Sequence, residues 1–136
     1  GSIVGGLYAS GMTPHEILEF GQDFKYLDFL NPLNLDLKFQ GVLDGSFIEK
    51  RINQRLNDTK IEDFKVKFSA VAFDINSKNT VIIDSGNCGK ALRGSSAIPY
   101  IFNPVSIGNY ALVDGGVEYP LPCLDGLSFQ RVISRR

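Results

Sequence analysis

The sequence predicts an α/β protein in which helices come first, strands follow, and three layers enclose one hydrophobic core. Helical spacing and helix-start signals dominate residues 1–56. From residue 65 onward the apolar residues alternate with a period of two, which is typical of strands. The chain has 136 residues, 43% of them hydrophobic, which is enough for one domain with one core. We therefore expect residues 1–136 to belong to one domain.

A first helix is predicted near residues 2–10. Its apolar residues recur at helical spacing: Ile3, Val4, Leu7 and Tyr8. Gly5 and Gly6 carry no side chain, so this helix can lie very close to its packing partner. Gly11 is expected to end the helix, because glycine is the preferred residue just beyond a helix C-terminus.

Two further helices are each predicted by a capping box, in which a hydroxyl residue is followed three positions later by glutamate. The pairs are Thr13–Glu16, before a helix near 14–23, and Ser46–Glu49, before a helix near 46–56. Pro14 at the first helical position supports the first of these helices. The buried stripe expected on the second consists of Ile48, Ile52 and Leu56. The apolar stretch 24–45 between them is broken by Asn31-Pro32 and Gly41, which favours an irregular connection.

The second half of the chain is predicted to form the sheet. Strands are expected near 66–74 and 80–84, joined by the turn sequence NSKN into a hairpin, and near 110–113. A short helical segment, GKALRGSSAI, is expected to stop at Pro99. The basic residues at the end of the chain, Arg131, Arg135 and Arg136, are expected to form a solvated tail.

Composition excludes several classes of function. A net charge of −1 and an isoelectric point near 5.8 give no electrostatic reason to expect nucleic acid. No apolar run is long enough to span a membrane. The two cysteines, Cys88 and Cys123, lack the spacing of a zinc site, so we expect reduced thiols in a cytoplasmic protein without a metal or other cofactor.

Three short motifs compete for the chemistry. IVGG at residues 3–6 resembles the mature start of trypsin-like proteases, but the single histidine, His15, lies in the first turn of a helix and is a poor general base. VIIDSG resembles the catalytic strand end of a retropepsin-like aspartic protease, which would pair Asp84 with its copy in a dimer. A turn at Asp84 is the alternative. Asp114, followed by Gly115 and Gly116 at the end of a strand, is the third candidate, with a plain turn again as the alternative.

Four segments together resemble the bacterial patatin-like phospholipase family, in the same order and with compatible spacing, over residues 1–122. They are GSIVGGLYASGMTPHEI, FSAVAFDINSKNTVIIDSG, ALRGSSAIPYIFNPV and YALVDGGVEYPLP. The resemblance implies a three-layer patatin-like sandwich that is incomplete at its amino terminus and, after residue 122, also at its carboxyl terminus. In that family a strand leads into a nucleophile elbow, G-x-S-x-G, followed by a helix much like the first one here.

The resemblance also implies the site. Gly1 matches the last glycine of the elbow, so the nucleophilic serine is expected two residues before Gly1. Asp114 matches the aspartate of the family's D-G-A/G motif and is the expected catalytic base, with Gly115 and Gly116 at the remaining positions of the motif. The implied function is hydrolysis of a lipid or other acyl ester by a Ser-Asp dyad, with peripheral contact to membrane. The chain alone is expected to be inactive.

Two points stay open from the sequence. A non-catalytic remnant or binding module of the patatin fold is the alternative to the enzyme, and the segment encoded before Gly1 decides between them. The apolar residues near the site, Ile98, Tyr100, Ile101 and Phe102, are expected to belong to the core, with a path for acyl chains as the alternative. Arg93 and Ser96 are expected to be structural neighbours of the site.

Overall fold

The computed structural model describes residues 1–24, 35–36, 42–99, 101–117 and 130–132. The helices in this part of the chain are α1 (Ser2–Ala9), α2 (Pro14–Gln22), α3 (Ser46–Arg55) and α4 (Cys88–Ser95), with short 3-10 helices at Ile61–Asp63 and Gly115–Val117. The strands are β1 (Leu35–Asp36), β2 (Val42–Leu43), β3 (Ala70–Asp74), β4 (Asn79–Ile83), β5 (Val105–Ile107), β6 (Tyr110–Asp114) and β7 (Gln130–Val132).

The main sheet has five strands in the order β5-β6-β3-β4-β7. The first four are antiparallel neighbours, and β7 pairs with β4 in parallel. β1 and β2 form a separate two-stranded pair. The predicted hairpin is confirmed, with β3 and β4 joined through a turn at residues 75–78. The alternation of burial along β3 reflects one face turned to the core and one half-buried.

Helix α4 is the centre of the helical layer. It packs against β3, β5 and β6 on one side, while α1 and α3 pack against it in turn. Residues of α4, of the sheet and of α3 form one core that includes Leu92, Ile52 and Leu112, all without exposed surface. The α/β class is thus confirmed, and the described residues build the sheet and the helical layer on one of its faces. No helix in these residues is long and apolar enough to span a membrane.

The predicted helix ends are confirmed at α1 and α2. Thr13 Oγ1 accepts from Glu16 N at 3.2 Å, and Thr13 N donates to Glu16 Oε2 at 2.7 Å, so the capping box is complete. The backbone hydrogen bond from Thr13 leads the interactions that lower the pKa of Glu16. After α1, Gly11 adopts φ +107°, and the next amide, Met12 N, donates back to Leu7 O at 3.2 Å. This is a Schellman end, which requires the left-handed backbone that glycine tolerates.

The predicted capping box at Ser46 is wrong. The N-cap of helix α3 is Gly45, which has no side chain to cap the helix. Instead Asp44 accepts from both Ser46 N and Ser46 Oγ, at 3.0 Å and 2.9 Å. Glu49 turns away from the helix start and binds Arg93 Nη1 at 2.6 Å. Ser46 therefore binds Asp44, and Glu49 binds Arg93, in place of the expected hydrogen bonds between Ser46 and Glu49. The stripe of Ile48, Ile52 and Leu56 is buried as predicted.

Four of the described strands differ from the prediction. β1 and β2, two residues each, lie within the stretch 24–45 that was expected to be an irregular connection. β5 and β7 are three residues each, so all four are too short to show a clear alternation. β7 contains Arg131, so the predicted solvated tail is wrong at that residue, while Arg135 and Arg136 lie outside the described residues. The predicted helical segment before Pro99 is present as α4, although it ends at Ser95.

The close approach predicted for α1 is present, and its partner is a helix. A Cβ added at Gly6 would lie 2.8 Å from both methyl carbons of Leu92, which is closer than side chains tolerate. At Gly5 the same atom would meet Phe68 at an ordinary 3.6 Å. Gly6 therefore sets the distance between α1 and α4.

Candidate functional site

Asp114 is the last residue of β6, at the junction with the 3-10 helix Gly115–Val117. Its amide donates to the carbonyl of Ala97 at 2.9 Å, which ties the strand end to the turn that follows α4. In the β3–β6 register Asp114 lies opposite Ala72, and directly opposed residues of an antiparallel pair point to the same face. Ala72 is fully buried under the helices. Asp114 therefore projects to the face of the sheet that α4 and α1 cover.

The two carboxylate oxygens of Asp114 have different surroundings. Oδ1 accepts from Gly116 N at 2.8 Å, which fixes the plane of the carboxylate. Oδ2 has no hydrogen-bond partner in the part of the chain that the structure describes. The side chain is half-buried. One oxygen is thus held while the other is available to a ligand or a proton.

The two glycines after Asp114 are required for different reasons. A Cβ at Gly115 would lie 2.9 Å from the carbonyl oxygen of Val71 on β3, a backbone atom that cannot move aside. A Cβ at Gly116 would lie 3.1 Å from Oδ1 of Asp114 itself. Gly115 therefore allows the strand end to touch β3, and Gly116 leaves room for the carboxylate.

Ser95 is a residue near the site that no sequence signal distinguishes. It is 6% exposed, and its Oγ donates at 2.5 Å to the Val71 carbonyl, the same oxygen that a Cβ at Gly115 would meet. The bond ties the last turn of α4 to β3 beside the strand end that carries Asp114. The neighbouring serine, Ser96, binds back to Leu92 O at 2.7 Å. Only the tertiary structure separates the roles of these two adjacent serines.

A cavity lies between the start of α1, the start of α3 and the end of α4. It has a volume of about 210 Å³ and is lined by Ile3, Ile48, Arg93, Ser96 and Phe102. Ile3 is in the first turn of α1, and Ser96 precedes Ala97, the residue that accepts from the Asp114 amide. Gly1 is the N-cap of α1, and no side chain caps that helix. Ser96 thus lies one residue from the backbone contact of Asp114, and Arg93 lines the same cavity as Ser96.

The prediction that the apolar residues before β5 belong to the core is wrong for two of them. Ile98 is 46% exposed and Ile101 is 48% exposed, because the chain turns sharply at Pro99 and both side chains point away from the core. Phe102 is half-buried and packs against the core cluster. Tyr100 lies outside the described residues.

The rival motifs do not form sites of their own. The four helices exclude the all-β aspartic protease, and Asp84 directly follows β4 in a turn that continues through Gly86 at φ +88°. His15 is exposed and pairs with Glu19 at 3.2 Å. Cys88 is a free buried thiol whose pKa burial raises to about 12, so it stays protonated. Cys123 lies outside the described residues.

Two further features of the described chain lie outside the predicted site residues. No group of three or more His, Cys, Asp or Glu residues in the described ranges is placed to hold a metal ion. A cleft of about 1160 Å³ opens near the start of α4, with charged residues of both signs including Glu62 and Lys90. None of the predicted site residues lines that cleft.

Fold and site together define an α/β protein whose strand-end aspartate, followed by two glycines, faces a tightly packed helical layer. The chain belongs to the patatin-like phospholipase family, whose family model matches residues 1–127. The resemblance seen in the sequence is thereby confirmed. The roles of Gly1, Asp114, Gly115 and Gly116 stay predictions.

The chain is also similar to curated proteins from bacteria and yeasts. It is 28% identical over 122 residues to an uncharacterized NTE family protein of Mycobacterium tuberculosis, covering 90% of this chain and 34% of that protein. It is 27% identical over 128 residues to lysophospholipase NTE1 of the yeast Debaryomyces hansenii, covering 92% of this chain and 8% of that protein. The chain therefore spans about a third of the length of the mycobacterial relative and far less of the yeast protein.

Proposed function

We propose that the complete protein containing this chain is a lipid acyl hydrolase that cleaves carboxylic esters with a Ser-Asp dyad. Membership of the patatin-like phospholipase family supports hydrolysis of lipids, and the similarity to a protein named lysophospholipase supports an acyl ester of a phospholipid as substrate. The observation that carries the proposal is the half-buried carboxylate of Asp114, with Oδ1 held by Gly116 N and Oδ2 available.

The proposed nucleophile is a serine two residues before Gly1, at the elbow that the family motif implies. Its Oγ attacks the acyl carbonyl carbon while Asp114 Oδ2 takes its proton. The tetrahedral intermediate then collapses, the alcohol leaves with that proton, and the acyl group stays on the serine. Water, deprotonated by Asp114 in the same way, releases the fatty acid and restores the serine.

Two features of α1 support an elbow at its start. Gly1 O accepts from Gly5 N at 2.9 Å, and no side chain caps the helix. No acidic residue lies in its first turn. No carboxylate of the first turn therefore compensates the positive end of the helix dipole, which favours negative charge on a group placed there. The backbone amides of a glycine-rich loop that precedes the elbow in the family are proposed to hold the oxyanion.

The direct test is hydrolysis of nitrophenyl butyrate by the complete protein and by residues 1–136 alone. The complete protein should turn over the ester, and the isolated chain should not, because it lacks a group able to form the acyl intermediate. Turnover by the isolated chain would show that the serine register is wrong. No turnover by the folded complete protein would favour the non-catalytic module instead.

A further inference from the structure

The turn between α4 and β5 carries two exposed isoleucines and lies between Ser96 and Phe102, which both line the cavity described above. Ile98 and Ile101 are 46% and 48% exposed, and Phe102, the next residue, lines the cavity. Ala97, the residue before Ile98, accepts from the Asp114 amide. The turn therefore lies next to the strand end that carries Asp114.

The segment that contains this turn has no charge. No Lys, Arg, Asp or Glu occurs in residues 94–113, although charged residues make up 21% of the whole chain. The cation that precedes this segment, Arg93, is held by Glu49 at 2.6 Å, and both side chains are largely buried. If the turn entered an apolar medium, the segment would have no charged side chain to remove from water. The free energy of desolvating a charge, which is the largest cost of such a transfer, is therefore absent for this segment.

Three backbone amides in and after the turn are paired within the chain. Ile98 N donates to Ser96 O at 2.9 Å, and Ile101 N and Phe102 N both donate to Ile98 O, at 3.2 Å and 3.0 Å. Pro99 has no amide hydrogen to lose. Unsatisfied backbone groups are what keeps irregular loops out of lipid, and at these positions the amide groups are paired already.

We propose that the Ile98–Ile101 turn is the surface by which this protein contacts a lipid layer, with the two isoleucines entering the boundary between headgroups and acyl chains. The proposal rests on the proposed function, since it names the surface through which a lipid substrate reaches Asp114. Contact through this turn brings the ester of a membrane lipid to the cavity without the whole lipid having to leave the layer and enter water. The attraction is apolar, so salt has little effect on it.

The test compares binding of the complete protein and two variants to vesicles of phosphatidylcholine, measured by co-sedimentation at low and high salt. In the double variant, Ile98→Ser with Ile101→Ser, binding should fall about tenfold or more, since roughly half of each side chain is exposed and free to be buried in lipid. The ratio between wild type and variant should be the same at both salt concentrations. The matched control is Ile75→Ser, with 44% exposure on a turn that also contains Lys78, and it should bind like wild type.

Three results would overturn the proposal. The double variant could bind as well as wild type, or it could lose no more than Ile75→Ser. Alternatively, a drop of several degrees in its melting temperature would show that another part of the protein covers the two isoleucines. Hydrolysis of soluble nitrophenyl butyrate by the wild type is measured in parallel. If that activity is absent while the binding difference is present, the proposed function fails and the lipid contact stands.

Discussion

Replacing Asp114 with asparagine separates the proposed chemistry of this residue from its structural role. Asparagine has nearly the same shape, and its carbonyl can accept from Gly116 N as Oδ1 does now at 2.8 Å. The amide nitrogen then takes the place of Oδ2, which has no other partner in the described part of the chain. The variant should therefore fold normally but lack the oxygen that accepts the serine proton.

The expected loss follows from what a general base contributes. Such a group accelerates a reaction by about 10²–10⁴, and each factor of ten corresponds to about 1.4 kcal/mol of barrier. Asp114→Asn in the complete protein should thus lower turnover of nitrophenyl butyrate at least about a hundredfold, equivalent to about 2.7 kcal/mol. The mass of the variant is checked before each assay, because asparagine before glycine deamidates readily and would restore an aspartate.

Asp84→Asn is the matched control. Asp84 is also half-buried and also lies where a strand ends, but it is the first residue after β4, in the turn that leads to α4. It should keep turnover close to wild type. A folded Asp114→Asn protein with wild-type turnover would remove Asp114 from the mechanism, and an equal loss in both variants would show that the site is elsewhere.

Three further predictions concern stability and reactivity. In urea titration the free energy of unfolding of Gly6→Ala should be lower than that of Gly5→Ala by about 1 kcal/mol or more, because only the Cβ added at Gly6 would lie 2.8 Å from the buried Leu92. Equal stability of the two variants would refute the close approach of α1 to α4. Burial raises the pKa of Asp74, but hydrogen bonds from neighbours, led by Ser77, outweigh burial and leave the pKa lowered. Its carboxylate therefore stabilises the fold above the ordinary carboxyl range and ceases to do so as the pH falls through the lowered pKa. Asp74→Asn should be less stable than wild type in urea at pH 7, and the difference should shrink at pH 3; a difference independent of pH would contradict this. Cys88, with a pKa of about 12, should react with iodoacetamide only after denaturation, and rapid modification of the folded protein would show that it is not buried.

Local signals in the sequence were sufficient for most of the helices and for the position of Asp114. Thr13 and Glu16 need only each other to start α2. An apolar run followed by Asp-Gly-Gly was enough to predict a strand ending at the aspartate, as found in β6. These features depend on residues within a few positions of each other, and the sequence displays such neighbours directly.

The failures involve partners that are distant along the chain. A capping box predicts that Glu49 caps its own helix, but Glu49 binds Arg93. The Ser46 hydroxyl, which the capping box also requires, donates to Asp44. Ser95 could not be distinguished from Ser96, because the bond to Val71 depends on how α4 docks against β3. The exposure of Ile98 depends in the same way on a turn that leads away from the core. Hydrophobicity alone predicts burial and misses such cases.

The central claim is that this chain supplies the base of a dyad whose nucleophile directly precedes α1. The most direct measurement is labelling of the complete protein with a fluorophosphonate, followed by peptide mapping by mass spectrometry. The account predicts one adduct, on the serine two residues before Gly1, with labelling much slower in the Asp114→Asn variant because that serine has lost its base. An adduct on Ser2 or on any other residue of the chain, or labelling as fast in Asp114→Asn as in wild type, would contradict it.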